Sequence, residues 1–140
     1  MDSNLRRSII LDNYNNPNNR QRHDNDDYIK TNSRNVSCID NIDVYVKIEN
    51  NIIKDITYEG EACAISISSS SIISNLLKDK TLEQSKEIIN NYYNMIEEKE
   101  YNKELLEEAN VFDEIYKQPS RKMCATLIVR GIEEIINKMK

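Results

Sequence analysis

IDVYVKIENNIIKDITYEGEACAISISSSS, residues 42–71, changes its period midway. Ile42, Val44, Val46 and Ile48 alternate with Asp43, Tyr45, Lys47 and Glu49, the period-2 pattern of a half-buried strand. Asn50-Asn51 follows, and asparagine tolerates the positive φ of a type I′ turn. Residues 52–59 read as the return strand. From Ala62 the period becomes helical. Over residues 62–78, Ile65, Ile72, Ile73, Leu76 and Leu77 share a broad apolar face. Ser68–Ser71 are weak helix formers, but small side chains let a neighbouring element come close. Cys63 stands at the join. In the first turn of a helix, unpaired backbone N–H groups and the positive end of the macrodipole favour a thiolate.

Upstream, Ser3 is placed to cap a helix over residues 4–14, with Leu5, Ile9, Leu11 and Tyr14 apolar. Pro17 disfavours helix in the residue before it and closes this segment. Residues 15–27 are polar and read as a loop, in which His23, the single histidine, reads as solvated. Residues 28–34 are an edge-strand candidate, and Cys38 and Asp40 follow in a loop. Downstream, Thr81 with Gln84 three residues on forms a capping box and opens a helix to about residue 99. Its Tyr92-Tyr93 pair reads as core. The acidic residues 97–108 read as a solvated connection with a short helix at Leu105-Leu106. Residues 111–116 form a short apolar turn. Pro119-Ser120 then begins a last helix over residues 121–139, with Ala125, Leu127, Ile128, Ile132, Ile135 and Ile136 inward and Cys124 in its first turns. Strands early and helices late predict an α+β fold, a small antiparallel three-stranded sheet with helices packed on one face. The length of 140 residues suits a single domain, 1–140.

The net charge of -5, without a basic stripe, argues against nucleic acid as a partner and against an anionic membrane surface. No segment reaches the length of a transmembrane helix. The apolar run near the N-terminus is too short for a signal peptide, so the expectation is a cytoplasmic protein. Three cysteines in a reducing compartment do not make a disulfide framework. By count alone, buried free thiols acting as small hydrophobes are favoured over metal or thiol chemistry. Their placement is more informative: a loop, a strand-to-helix join and a helix start. If those ends pack together, three thiolates meet, and Asp40 on the Cys38 loop can supply a fourth, oxygen ligand. The expected metal set is Cys38, Asp40, Cys63 and Cys124.

Four segments, in order, carry a resemblance. Asp12-Asn13-Tyr14 with Asn16-Pro17-Asn18-Asn19, Ser37-Cys38-Ile39-Asp40, Gly60-Glu61-Ala62-Cys63-Ala64-Ile65-Ser66 and Arg121-Lys122-Met123-Cys124-Ala125-Thr126-Leu127 are similar to the motifs of the IscU/NifU N-terminal iron–sulfur cluster assembly family. Met123 stands where the IscU-like scaffolds carry a histidine, and residues 78–118 match a helical insert of the SufU-like branch. The chain therefore resembles that branch. Ile39 and Ala62 replace family glycines, and Ile39 would be strained if its loop needed φ > 0. The resemblance implies a SufU/IscU-like fold with the metal site at one end. It implies a zinc-dependent acceptor of persulfide sulfur from a SufS-like cysteine desulfurase, passing sulfur to downstream iron–sulfur assembly proteins. Cys38, on a loop, is the implied transfer residue, with Cys63 and Cys124 as fixed ligands. Arg121 supports the site or the partner contact. The alternative is a scaffold for iron or a transient [2Fe–2S] cluster on Cys38, Cys63 and Cys124. A third reading is a zinc-stabilised interaction module without transfer chemistry.

Overall fold

Three antiparallel strands, β1 (Ile29–Arg34), β2 (Asn41–Glu49) and β3 (Ile52–Glu61), form one sheet in the order β1-β2-β3. The computed structural model describes residues 1–139. Asn50 and Asn51 both take positive φ, 54° and 62°, as the tight β2–β3 turn requires. The alternation holds: Ile42, Val44 and Val46 are buried on one face. That face is covered by α6 (Leu127–Lys138), which lies on β1 and β2, and by α2 (Ala64–Leu77), which lies on β3. The α6 backbone passes so close to the sheet that a methyl group on Gly131 would sit 2.9 Å from Val44 Cγ2.

The opposite face is not simply polar. Tyr45 is buried there, because the preceding loop folds against it. His23 stacks on Tyr28 at 3.8 Å between ring centroids and meets Tyr45 edge-on. Its Nε2 is buried without a hydrogen-bond partner, so the expectation of a solvated histidine is corrected. The polar composition of residues 15–27 concealed two aromatic surfaces supplied from elsewhere in the chain.

The first helix, α1, spans Ser3–Asn15. Its cap is Asp2 rather than Ser3: Leu5 N donates to Asp2 Oδ1 at 2.8 Å, and a carboxylate also complements the helix dipole. The serines of α2 are buried and donate to carbonyls one turn back, as Ser70 does to Ser66 O at 2.7 Å. Ser71 instead donates to Asn13 Oδ1 at 2.7 Å and accepts from Asn18 N at 2.9 Å. The small side chains thus admit α1 and the loop after it. The Thr81–Gln84 capping box forms and starts α3 (Leu82–Ile96). A short α4 (Lys103–Leu106) and two 3₁₀ turns, Glu107–Phe112 and Ile115–Lys117, lead to α5 (Pro119–Ala125). Tyr92 is buried and donates to Ala125 O at 2.7 Å, which places it in the core, as expected.

The last helix differs from expectation. It is broken at Thr126 (φ -102°, ψ 3°) into α5 and α6. Both the Thr126 N–H, at 3.1 Å, and its hydroxyl, at 2.9 Å, donate to Lys122 O, so α5 keeps its ladder up to this residue. Arg130 Nη2 donates to Met123 O at 2.7 Å and satisfies a carbonyl freed by the break. Cys124 therefore lies at the end of a short helix, and the helix-start argument for its thiolate does not apply. No helix among the described residues is long and apolar enough to cross a membrane.

Candidate metal centre

Cys38 is carried by a tight turn between β1 and β2. Cys38 N donates to Asn35 O at 3.0 Å, and Asn35 N donates to Asp40 O at 3.0 Å. The turn leaves Cys38 exposed and directs Asp40 inward, where it is 1% exposed. Ile39 adopts no positive φ, so the loop is built without the strain that its replacement of glycine raised.

Cys63 is the N-cap of α2, half-buried, with no cap bond from its own side chain. The strand before it runs to Glu61, which pairs with Asn41, so the helix starts two residues later than the hydrophobic pattern suggests. Cys124 is buried on α5. The sheet end, the cap of α2 and the end of α5 converge. The ligand atoms of Cys38, Asp40, Cys63 and Cys124 all lie within 4.8 Å of one another.

Asp40 organises this group. Its Oδ1 accepts from Cys63 N at 2.8 Å, and its Oδ2 accepts from the Ser66 hydroxyl at 2.5 Å. Cys38 Sγ and Cys63 Sγ lie 3.7 and 3.9 Å from its oxygens, as thiol donors do. Burial works against the charged carboxylate. The donors from Ser66, Cys63 and Cys124 outweigh it and hold Asp40 below the usual carboxylate range. Burial, then Asp40 and Cys63, push the Cys124 thiol up to about 12. The metal-free cluster thus pairs an anionic carboxylate with a protonated Cys124.

The donor chemistry fits a thiophilic metal. A tetrahedral zinc with sulfur at about 2.3 Å places neighbouring ligand atoms about 3.7 Å apart, and the sulfur–carboxylate separations are already near that. Each Asp40 oxygen has two lone pairs, one on its N–H or O–H donor and one facing a cysteine thiol, and the second is open to a cation once that thiol loses its proton. Three sulfurs and one oxygen also suit iron–sulfur ligation.

Arg121 is not among the converging groups. It is exposed on α5 and lines a separate groove with Arg6, Arg7, Ile10, Leu11 and Ile65. Two residues that do enter the site, Asn35 and Ser66, carried no functional assignment from sequence. Ser66 lies one helical turn beyond Cys63, the spacing that puts both on one face. Asn35 precedes an exposed Asx-type turn. Outside the cluster, Cys38 opens onto a basin of about 550 Å3 whose lining includes Arg34, Val36, Ile39, Asp43 and Glu59.

The chain matches the family of NifU-like N-terminal domains over residues 5–125. It is 31% identical over 135 residues to the zinc-dependent sulfurtransferase SufU of Bacillus subtilis, spanning 96% of this chain and 90% of that protein. It is 27% identical over 106 residues to the iron–sulfur cluster assembly scaffold protein IscU of Thermotoga maritima, spanning 76% and 75% of the two. Its fold superposes on the crystal structure of FiSufU, a SUF-system protein of Fervidobacterium islandicum, with a TM-score of 0.86 at 25% identity, covering 94% of this chain and 97% of that one.

Proposed function

The chain belongs to the family of NifU-like N-terminal domains, and on that premise we propose that it is a zinc-dependent sulfur acceptor in iron–sulfur cluster assembly, with a SufS-like cysteine desulfurase as its donor. The observation that carries the proposal is the convergence of Cys38, Asp40, Cys63 and Cys124 within 4.8 Å. Bound zinc would hold the sulfurs deprotonated at neutral pH. The protein's own part is the unequal mounting of those sulfurs. Cys63 and Cys124 sit on helices and keep their positions. Cys38 is exposed on a turn and is free to leave the group.

In the transfer step, the Cys38 thiolate attacks the outer sulfur of the desulfurase persulfide. A new sulfur–sulfur bond forms on Cys38, the donor's bond breaks, and the desulfurase cysteine leaves with the electron pair as a thiolate. No net oxidant is needed, because the persulfide supplies the oxidised sulfur. Asp40 stays anionic throughout, held by Cys63 N–H and Ser66. Arg121, on the same helix as Cys124 and without an ion pair among the described residues, serves the partner contact rather than the donor set. Residues 78–118 act as the helical insert that props α5. The acceptor works in the cytoplasm and hands sulfur to downstream assembly proteins.

A second reading uses the same donors to hold a transient [2Fe–2S] cluster, supported by the similarity to IscU scaffolds. Met123, in place of the histidine of those scaffolds, favours the first. The deciding experiment is metal analysis of the purified protein combined with a desulfurase sulfide-release assay. The sulfur relay requires zinc, acceleration of the desulfurase, and loss of that acceleration in folded Cys38→Ala. A Cys38→Ala protein that accepts sulfur as well as the parent overturns the transfer assignment.

A further inference from the structure

We propose that Asn35 is a positioning residue for the cluster, its side-chain N–H holding the Cys124 sulfur while its oxygens clasp the turn that carries Cys38. Asn35 follows β1 and is 4% exposed. Its Nδ2 donates to Cys124 Sγ at 3.7 Å. Its Oδ1 accepts from Ser37 N at 3.1 Å. Its backbone O accepts from Cys38 N, and its backbone N donates to Asp40 O, each at 3.0 Å. One buried residue therefore joins the most exposed thiol, the carboxylate's backbone and the most buried thiol.

The charge of the site gives this link a chemical role. Three thiolates and one carboxylate bring four negative charges, and a divalent cation cancels two. The excess must be met by hydrogen-bond donors around the ligands, which also tune them. Asp40 has Cys63 N–H and Ser66 O–H. For the Cys124 sulfur, the nitrogen donor among the described residues is Asn35. A hydrogen bond to a thiolate is a charge-assisted one, stronger than its neutral counterpart. It draws electron density from that sulfur toward the amide. Because the same side chain closes the Cys38 turn, opening that turn to release Cys38 also loosens the donor on Cys124.

The proposal rests on the reading of the site as a metal centre, and the test separates the two. Cobalt(II) is titrated into metal-free full-length wild type, Asn35→Asp and Asn35→Ser. Both variants keep an oxygen able to accept from Ser37 N–H, and neither places an N–H against Cys124. In both, the thiolate-to-cobalt charge-transfer band is expected to move to longer wavelength, with binding weakened by about tenfold to a hundredfold. A band unchanged in both variants, or shifted only in the charged Asp variant, overturns the assignment. So does a shift confined to the Ser variant. If one variant does not fold, Asn35→Thr, whose hydroxyl can also accept from Ser37 N–H, takes its place in the pair. Unfolding of both by circular dichroism assigns Asn35 to the turn alone and also overturns it. A wild type that shows no sulfur-to-cobalt band defeats the metal-centre reading itself.

Discussion

The Asp40 carboxylate accepts the Cys63 backbone N–H at 2.8 Å, so one prospective metal ligand ties the end of the β1–β2 loop to the start of α2. Asp40→Ala is therefore expected to weaken the metal-free fold as well as the metal site. It leaves Cys63 N–H without its acceptor and the Ser66 hydroxyl with Cys124 O alone, at 3.2 Å, and the loss at Cys63 costs about 1–3 kcal/mol in a buried position. Urea unfolding in the presence of a chelator measures this. Equal midpoints for wild type and variant would show that Asp40 acts on metal alone.

Gly60 pairs with Ile42 at φ +149°, a conformation that side chains rarely adopt. A methyl group there would collide with the Asn41 carbonyl oxygen and lie 2.8 Å from Ile42 Cα. Gly60→Ala is expected to destabilise the protein by more than about 2 kcal/mol. Asn41 directly follows Asp40, so the displaced backbone also reduces zinc affinity in whatever fraction folds. Thermal melts and a zinc competition assay report the two effects, and a variant with wild-type values in both would refute this account of Gly60.

Alkaline pH should separate metal-free from metal-loaded protein. The folded thiol of Cys124 ionises near 12, above the 9 of an ordinary cysteine. A raised folded value contributes stability that is complete below pH 9 and is lost as pH rises toward 12. In chelator, the melting temperature of wild type should fall across this window more steeply than that of Cys124→Ser. Parallel curves for the two proteins would contradict the assignment.

Tyr92 reaches from α3 to Ala125 O, the residue after Cys124. Tyr92→Phe keeps the buried ring and strands that carbonyl beside the break at Thr126. A loss of about 1–3 kcal/mol is expected, read by urea unfolding. No measurable loss would mean that the carbonyl finds another donor.

Ile39→Gly tests the replaced family glycine. Ile39 is 66% exposed and free of positive φ, so glycine gains no relief of strain and adds freedom to the unfolded chain. Stability should drop by less than about 1 kcal/mol, with zinc stoichiometry unchanged. A stabilised variant would show strain in the Cys38 loop after all.

The features legible from sequence are those written in a short window. The alternation of residues 42–49, the Asn50-Asn51 turn and the Thr81–Gln84 box each carry their cause within a few positions, and each formed. What depended on a distant partner was misread. β3 runs on to Glu61 because Asn41 pairs with it. The helix breaks at Thr126, at φ -102° and ψ 3°, without glycine or proline to announce it. His23 looked solvated because its stacking partners lie outside its own polar segment. At the site, the four candidate ligands were legible once their order resembled a family, and the structure brings them together. Asn35 carries no signal in the sequence, because asparagine is abundant in this chain and abundance says nothing about which copy is buried.

The donors of the site leave the ribosome at different times. Cys38, Asp40 and Cys63 emerge with the sheet and the head of α2, but Cys124 follows only after the whole of residues 78–118 has been made. A nascent or clipped chain that ends before α5 has an open, three-cornered site, with its deepest sulfur absent. On the proposed function, capture of the metal then reports on synthesis: only a chain in which α5 has been made and packed can hold zinc tightly and be admitted to sulfur traffic.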